Sequence, residues 1–221
     1  MALTPTLDTI LEAVKAGDLA QVQAVLAADP ALAAARDAQS VSALLHAQYR
    51  GRADIVALLR AAAPALDVFE ASALGDIERL RALLDADPAL ANTWAGDGFF
   101  PLGLAAFFGH PGAVRLLLER GADVHATARN AMKVTALHAA AAARVHRTET
   151  SRLLLDHGAR VDARQEGGWT ALHAAAQSGD VALVTLLLAR GADRALANDY
   201  GKTAASLAKE KGHTGVLKLV T

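Results

Sequence analysis

One segment, Gly167–Ala192, recurs along the chain and constrains the fold more than any other sequence feature. Within it, Thr170 is placed to cap a short helix, and Gly179 ends that helix where a left-handed backbone is needed. Asp180 is placed to cap a second helix, whose apolar stripe stops at Gly191. Two short helices with one apolar face each cannot bury that face alone. The segment therefore predicts a stack of similar units.

Copies of this segment appear at a period near 33 residues, the distance between Thr170 and Thr203. The openings at Pro101, Thr135 and Thr170 follow a Thr-Pro-Leu-His-like pattern, although only Pro101 keeps the proline. This period and these openings resemble the ankyrin repeat. The residues that carry the resemblance are Thr135, Leu137, His138, Thr170, Leu172, His173, Gly109, His110, Gly179, Gly121, Gly158 and Gly191.

The resemblance implies an all-α solenoid of stacked helix pairs with short hairpin loops. We expect a single array over residues 1–221. Its outer pairs should act as caps with polar outer faces, and its first three pairs are degenerate copies. The seven predicted helix pairs cover approximately residues 7–33, 40–63, 67–91, 97–126, 130–163, 164–197 and 198–221.

Two irregularities interrupt the repeat. The glycines Gly51 and Gly75 are only 24 residues apart, so the hairpin near 61–67 is predicted to shrink to a tight loop. The repeat that begins at Thr135 is two residues longer than the reference copy, and the addition is predicted to lie within 142–150. The hairpin before Thr135 is also longer, so it should project further.

Composition narrows the remaining classes of protein and of function. There is no cysteine, which removes disulfides and thiolate metal sites and fits a reducing cytoplasm. A net charge of −1 gives no electrostatic footprint for nucleic acid. No apolar run is long enough for a membrane span, and the N-terminal residues lack the pattern of a secretion signal. The abundance of alanine and arginine suggests a bacterial source with GC-rich DNA.

Histidines are the candidate chemical groups. His138 and His173 occupy the Leu-His position of their repeats, where they would either serve as metal ligands or acid–base groups, or hold a hairpin to its helices. Because they are one repeat apart, they should not converge on one point, and the structural interpretation is favoured. The same holds for His110 and His213. No catalytic or nucleotide-binding motif is present, so we expect no enzyme activity, no cofactor and no metal.

The candidate binding surface comes from the resemblance. Partners of similar proteins usually lie in a concave groove, lined by hairpin tips and the exposed sides of the first helices, which we call the groove face. Aromatic residues on such a surface are typical binding hot spots. Positions mapped from Thr170, with Trp94 just before a hairpin tip, give the candidates Tyr49, Arg50, Trp94, Phe99, Phe107, Phe108, Trp169 and Gln177.

Each aromatic residue has a second interpretation, in which it packs on a neighbouring hairpin and stiffens the array. Packing is favoured for Phe100, which holds the capping position of its repeat. Binding is favoured for Phe107 and Phe108, and both interpretations stay open for Trp94 and Trp169.

The sequence therefore predicts a scaffold that binds an unidentified protein through its groove face. The alternative is a homodimer formed through the patch from Phe99 to Phe108. An enzyme or metal protein that uses the groove histidines is the third possibility. The basic residues around Arg144 and Arg147 are interpreted as a solvated outer face, against the alternative that they contact an acidic partner.

Overall fold

The computed structural model describes residues 5–62 and 65–221, which form seven successive pairs of α-helices. The first helices are α1 (Leu7–Ala16), α3 (Ala43–Tyr49), α5 (Val68–Leu74), α7 (Pro101–Phe107), α9 (Ala136–Ala142), α11 (Ala171–Ser178) and α13 (Ala204–Glu210). The second helices are α2 (Leu19–Ala28), α4 (Ala53–Ala62), α6 (Ile77–Ala86), α8 (Pro111–Glu119), α10 (Arg147–Asp156), α12 (Val181–Ala189) and α14 (Thr214–Val220). One pair lies in each predicted range, although residue 63, the predicted end of the second, falls outside the described residues.

Local hydrogen bonds explain where these helices begin and end. The Thr170 hydroxyl accepts from the backbone N–H of His173 and caps α11. Gly179 ends α11 with φ of +73°, a conformation that costs glycine little. Asp180 then caps α12 by accepting from the backbone N–H of Leu183 at 3.0 Å. The capping and turn roles predicted for the reference segment are confirmed.

The pairs stack in sequence order, each first helix against the first helix of the next pair. One continuous apolar core runs from Ile10 in α1 to Val220 in α14. The prediction of an all-α solenoid is confirmed. No helix within residues 5–62 and 65–221 is long and apolar enough to cross a membrane.

Hairpins precede several of the pairs, and we number each by the pair that it precedes. Isolated antiparallel bridges join Arg36 to Ser42 in the second hairpin, Thr127 to Thr135 in the fifth, and Ala197 to Thr203 in the seventh. In the fourth and sixth hairpins, the backbone N–H groups of Ala95 and Gln165 donate to the carbonyls of Phe99 and Trp169, and these bonds help to close the turns. Across the described part of the chain, none of the hairpins extends into a longer strand.

Only residues 63–66 separate α4, which ends at Ala62, from Asp67, the cap of α5, and residues 63 and 64 of the predicted tight loop lie outside the described residues. The second hairpin contacts the start of α5. Its Arg36 lies 3.0 Å from the carboxylate of Asp67 and 3.5 Å from that of the buried Glu70. It also meets the fourth hairpin directly, where a side chain at Gly96 would overlap the carbonyl oxygen of Gln39.

Above α5 this contact creates a second, smaller core on the groove face. Its buried members are Val41, Leu45, Ala73 and Leu104. Four half-buried aromatic rings, of Tyr49, Phe69, Phe99 and Phe108, pack against them. The groove face is therefore filled by the protein's own side chains over α5.

The two added residues of the fifth pair lie in the loop 143–146 between α9 and α10, within the range predicted for them. His146 in this loop adopts φ of +53°, in the region that glycine occupies in the reference copy. The loop turns back toward the fourth pair, where the carbonyl oxygen of Val145 lies against Gly109. The insertion therefore alters the end of the fifth repeat that lies far from its hairpin.

Candidate partner-binding surface

Four of the predicted site residues line one cavity on the groove face, which we call the groove pocket. These are Tyr49, Phe99, Phe107 and Trp169, contributed by the second, fourth and sixth pairs. The pocket has a volume of ≈ 350 Å³, within the range of sites that bind small ligands and side chains. Phe107 is the most exposed of the four, with 41% of its surface accessible.

The pocket has a floor of small residues and walls of large ones. Gly103 in α7, Ala139 and Ala142 in α9, and Ala174 in α11 form the floor. Phe99, Val134 and Trp169, each one residue before the capping position of its repeat, form walls with Met132. The floor has small side chains because the first helices are rich in alanine. Three hairpins can therefore face one cavity.

Gly103 explains why the pocket opens at this place. It stands three residues after the capping position, where His138 and His173 stand in the next two repeats. The ring of Phe100 lies 3.0 Å from the position that a side chain at Gly103 would take. Phe100 is buried, which confirms its packing role, and Gly103 adds no side chain of its own to the pocket.

The two histidines themselves hold hairpins in place. The ring Nδ1 of His138 accepts from Thr135, and its Nε2 donates to the carbonyl of Trp169 at 3.1 Å. His173 repeats this pattern with Thr170 and the carbonyl of Leu196. The structural role predicted for these histidines is confirmed, because each ring nitrogen has a partner in an adjacent turn.

His110 and His213, which each follow the glycine that ends a first helix, were also predicted to have a structural role. The Nε2 of His110 bonds the carbonyl of Ala73 at 3.0 Å, and that of His213 bonds the carbonyl of Gln177 at 3.1 Å. Within residues 5–62 and 65–221 there is no group of three or more His, Cys, Asp or Glu side chains that could hold a metal ion.

The sequence profile of the family described as Ankyrin repeats (3 copies) matches residues 68–165 and 161–221. The chain belongs to the ankyrin-repeat family. The match covers the last five helix pairs, whereas the first two pairs lie outside it. The part of the chain that matches the family therefore includes the helices of the pocket floor, α7, α9 and α11.

Individual relatives are about a third identical to this chain over the aligned segments. The B-cell lymphoma 3 protein homolog of Mus musculus is 34% identical over 122 residues, which are 55% of this chain and 27% of that protein. The Ankyrin repeat and SAM domain-containing protein 6 of Mus musculus is 37% identical over 141 residues, 64% of this chain and 12% of that protein. The chain thus spans a small part of the length of these relatives.

The remaining predicted site residues lie outside the groove pocket. Trp94 donates its Nε1–H to the carbonyl of Thr127 at 3.0 Å, and Arg129 lies 3.5 Å over its ring. Phe108 stacks on Tyr49, with ring centroids 5.9 Å apart. Arg50 bonds the carbonyls of Lys15 and His46, while Gln177 is exposed near the end of α11. Trp94 and Phe108 therefore make packing contacts within the array.

Tyr49 belongs to both the small core and the pocket. Its hydroxyl donates to the carboxylate of Asp97 at 2.8 Å, which ties α3 to the fourth hairpin. Burial raises the pKa of Tyr49 well above its ordinary value, and the negative charge of Asp97 raises it further. The phenol therefore stays protonated and neutral at physiological pH.

Several pocket residues were not predicted from the sequence, although the repeat pattern contains a signal for two of them. Val134 and Ala142 occupy the positions in the fifth pair that Trp169 and Gln177 occupy in the sixth. Val134 and Ala142 both line the pocket. Met132 and Gln165 have no such signal. Met132 is 48% exposed, which agrees with the longer fifth hairpin.

Stability should fall as the pH drops from 7.5 to 5.5, before most carboxylates titrate. Burial lowers the pKa of His138 and of His173 below its ordinary value in the folded protein. Below that ordinary value, near 6.5, the unfolded chain then binds more protons than the folded one. The free energy of unfolding should fall with a slope of at most about 1.4 kcal/mol per pH unit for each histidine.

Urea denaturation of the wild type and of a His138→Gln/His173→Gln variant at several pH values checks this expectation. Glutamine can also donate and accept, but it does not titrate. The variant should therefore show a shallower dependence on pH over the same range. Equal slopes for both proteins would contradict the assignment of buried, neutral imidazoles.

Proposed function

We propose that the protein is a protein–protein interaction module that binds its partner on the groove face, centred on the groove pocket. Ankyrin repeats generally mediate such interactions. The observation that carries the proposal is an open apolar cavity walled by Phe99 and Phe107 from the fourth repeat and Trp169 from the sixth. Clustered aromatic side chains beside a pocket are the usual anchors of a protein interface.

The rigidity of the array favours this function. The small core above α5 and the hydrogen bonds of His138 and His173 hold the hairpins before a partner arrives. Preorganised binding surfaces lose little conformational entropy on association. We therefore infer that affinity comes from the exposed aromatic residues, and that the groove histidines have a structural role with no part in catalysis.

A pull-down from lysate of the source organism tests the proposal, with wild type beside a Phe107→Ala/Trp169→Ala variant. Each truncation of a hot-spot residue costs about 2 kcal/mol or more, so the double variant should lose at least about 100-fold in affinity. Tyr200→Ala is the matched control, because Tyr200 is 72% exposed on the seventh hairpin and does not line the pocket. Loss of a captured protein with Tyr200→Ala alone would move the binding site away from the pocket.

Self-association is the second candidate, favoured by the exposure of Phe107 and Met132 beside the pocket. Light scattering gives the test on the same proteins. A mass of twice 22.8 kDa that returns to the monomer value in the Phe107→Ala/Trp169→Ala variant would favour a homodimer. A cytoplasmic location and a bacterial source stay predictions, which rest on composition alone.

A further inference from the structure

The size of the groove pocket limits what it can hold. Its volume of ≈ 350 Å³ lies at the small end of the range of about 300–1,000 Å³ for ligand sites. Its floor is Gly103 with the methyl groups of Ala139, Ala142 and Ala174, so depth comes from the absence of large side chains there. A space of this size holds one large apolar side chain together with part of the residues that flank it.

The charges around the pocket are already paired. Asp97 accepts from the Tyr49 hydroxyl at 2.8 Å. On the fifth and sixth hairpins, the Lys133 ammonium lies 3.8 Å from the Glu166 carboxylate. A charged group entering the pocket would lose its water without gaining an opposite charge, which is costly. The occupant should therefore be uncharged.

One lining residue offers a polar contact that matches a peptide. The side-chain amide of Gln165 makes no hydrogen bond to any part of the chain that the structure describes. An amide both donates and accepts, as does the peptide group of an extended chain. This pairing favours a peptide segment as the occupant over a purely hydrocarbon molecule.

We propose that the groove pocket receives one bulky, uncharged apolar side chain of the partner, whose adjacent peptide group pairs with Gln165. This inference rests on the proposed function and specifies the partner's chemistry. The partner presents an extended segment with tryptophan, phenylalanine, leucine or methionine at the anchor position. Phe107 and Met132, both exposed at the rim, pack against the flanking residues.

Selection of random 12-residue peptides from a display library on the immobilised full chain tests this inference. The enriched peptides should share one large apolar residue at a position free of Asp, Glu, Lys and Arg. A fluorescein-labelled copy is then titrated by fluorescence polarisation. Replacing its anchor with lysine should weaken binding at least about tenfold, because a buried charge would be unpaired.

Variants of the protein locate the bound peptide. Ala142→Phe places a ring in the pocket from an exposed position of α9 and should weaken binding at least about tenfold. Tyr200→Ala is the control on the seventh hairpin, outside the pocket, and should keep the wild-type affinity. Gln165→Ala should weaken binding about threefold to tenfold. Circular dichroism establishes that each variant is folded.

Four results would overturn the inference. The first is enriched peptides with a charged anchor, or no enrichment at all. The second is peptides that bind Ala142→Phe as tightly as the wild type. The third is an uncharged dye, N-phenyl-1-naphthylamine, that binds in a manner sensitive to Ala142→Phe while no peptide does, which would indicate a small-molecule site. A natural partner lost only from the Phe107→Ala/Trp169→Ala variant, and still bound by Ala142→Phe, would leave the proposed function standing and this inference wrong.

Discussion

Replacing Gly96 with alanine is expected to lower the free energy of unfolding by about 3 kcal/mol or more. A side chain there would overlap the backbone oxygen of Gln39, which no change of rotamer can relieve. The second and fourth hairpins would have to separate. That movement would break the bond from Tyr49 to Asp97 and the contact between the rings of Tyr49 and Phe99, whose centroids are 6.0 Å apart.

Urea denaturation measures this effect, with Gly201→Ala as the control. Gly201 lies in the seventh hairpin with φ of +69°, and nothing lies within 4 Å of the position that its side chain would take. Its substitution should cost only backbone strain, about 1 kcal/mol. If both variants lost the same stability, the direct contact between the second and fourth hairpins would be refuted.

The second large effect is expected for His138→Ala, which should lower the free energy of unfolding by about 2–4 kcal/mol. The change removes the capping interaction with Thr135 and the bond to the carbonyl of Trp169. It also leaves a cavity at a buried position between α9 and the sixth hairpin. Because Trp169 is a wall of the groove pocket, the sixth hairpin should become more mobile.

Thermal and urea unfolding would measure the loss of stability, and the fluorescence of Trp169 in a Trp94→Phe background would report on the hairpin. His157→Ala is the control, since His157 is exposed and bonds only a carbonyl of its own helix, that of Leu153, at 2.8 Å. That variant should stay within about 0.5 kcal/mol of the wild type. Equal stability of His138→Ala and the wild type would contradict the hairpin-holding role of the imidazole.

Much of the fold was predictable because its determinants are local in sequence. Thr170, Gly179 and Asp180 act through hydrogen bonds that span three or four residues, so their spacing alone predicts where helices begin and end. The apolar stripes predict stacking for the same reason, since each repeat contacts only its neighbours. The shortened third hairpin and the insertion near 142–150 were likewise visible as changes in interval.

The candidate site was predictable only as a region. Position within the repeat placed Tyr49, Phe99, Phe107 and Trp169 on one face, where they line the pocket. It could not separate Phe107 from Phe108, which are adjacent and equally aromatic. The structure separates them, because Phe108 stacks on Tyr49 whereas Phe107 faces the pocket.

The sequence by itself determined the repeat, its caps and the hairpin-holding histidines, because each depends on residues within one repeat or on its regular neighbour. Only the tertiary structure decided where the groove face is filled and where it is open. The bond from Tyr49 to Asp97, which is 48 residues away, and the small core close the face over α5. Gly103 and the longer fifth hairpin leave it open over α7 and α9. These outcomes depend on the volumes and distances between residues far apart in sequence, which a periodic pattern does not contain.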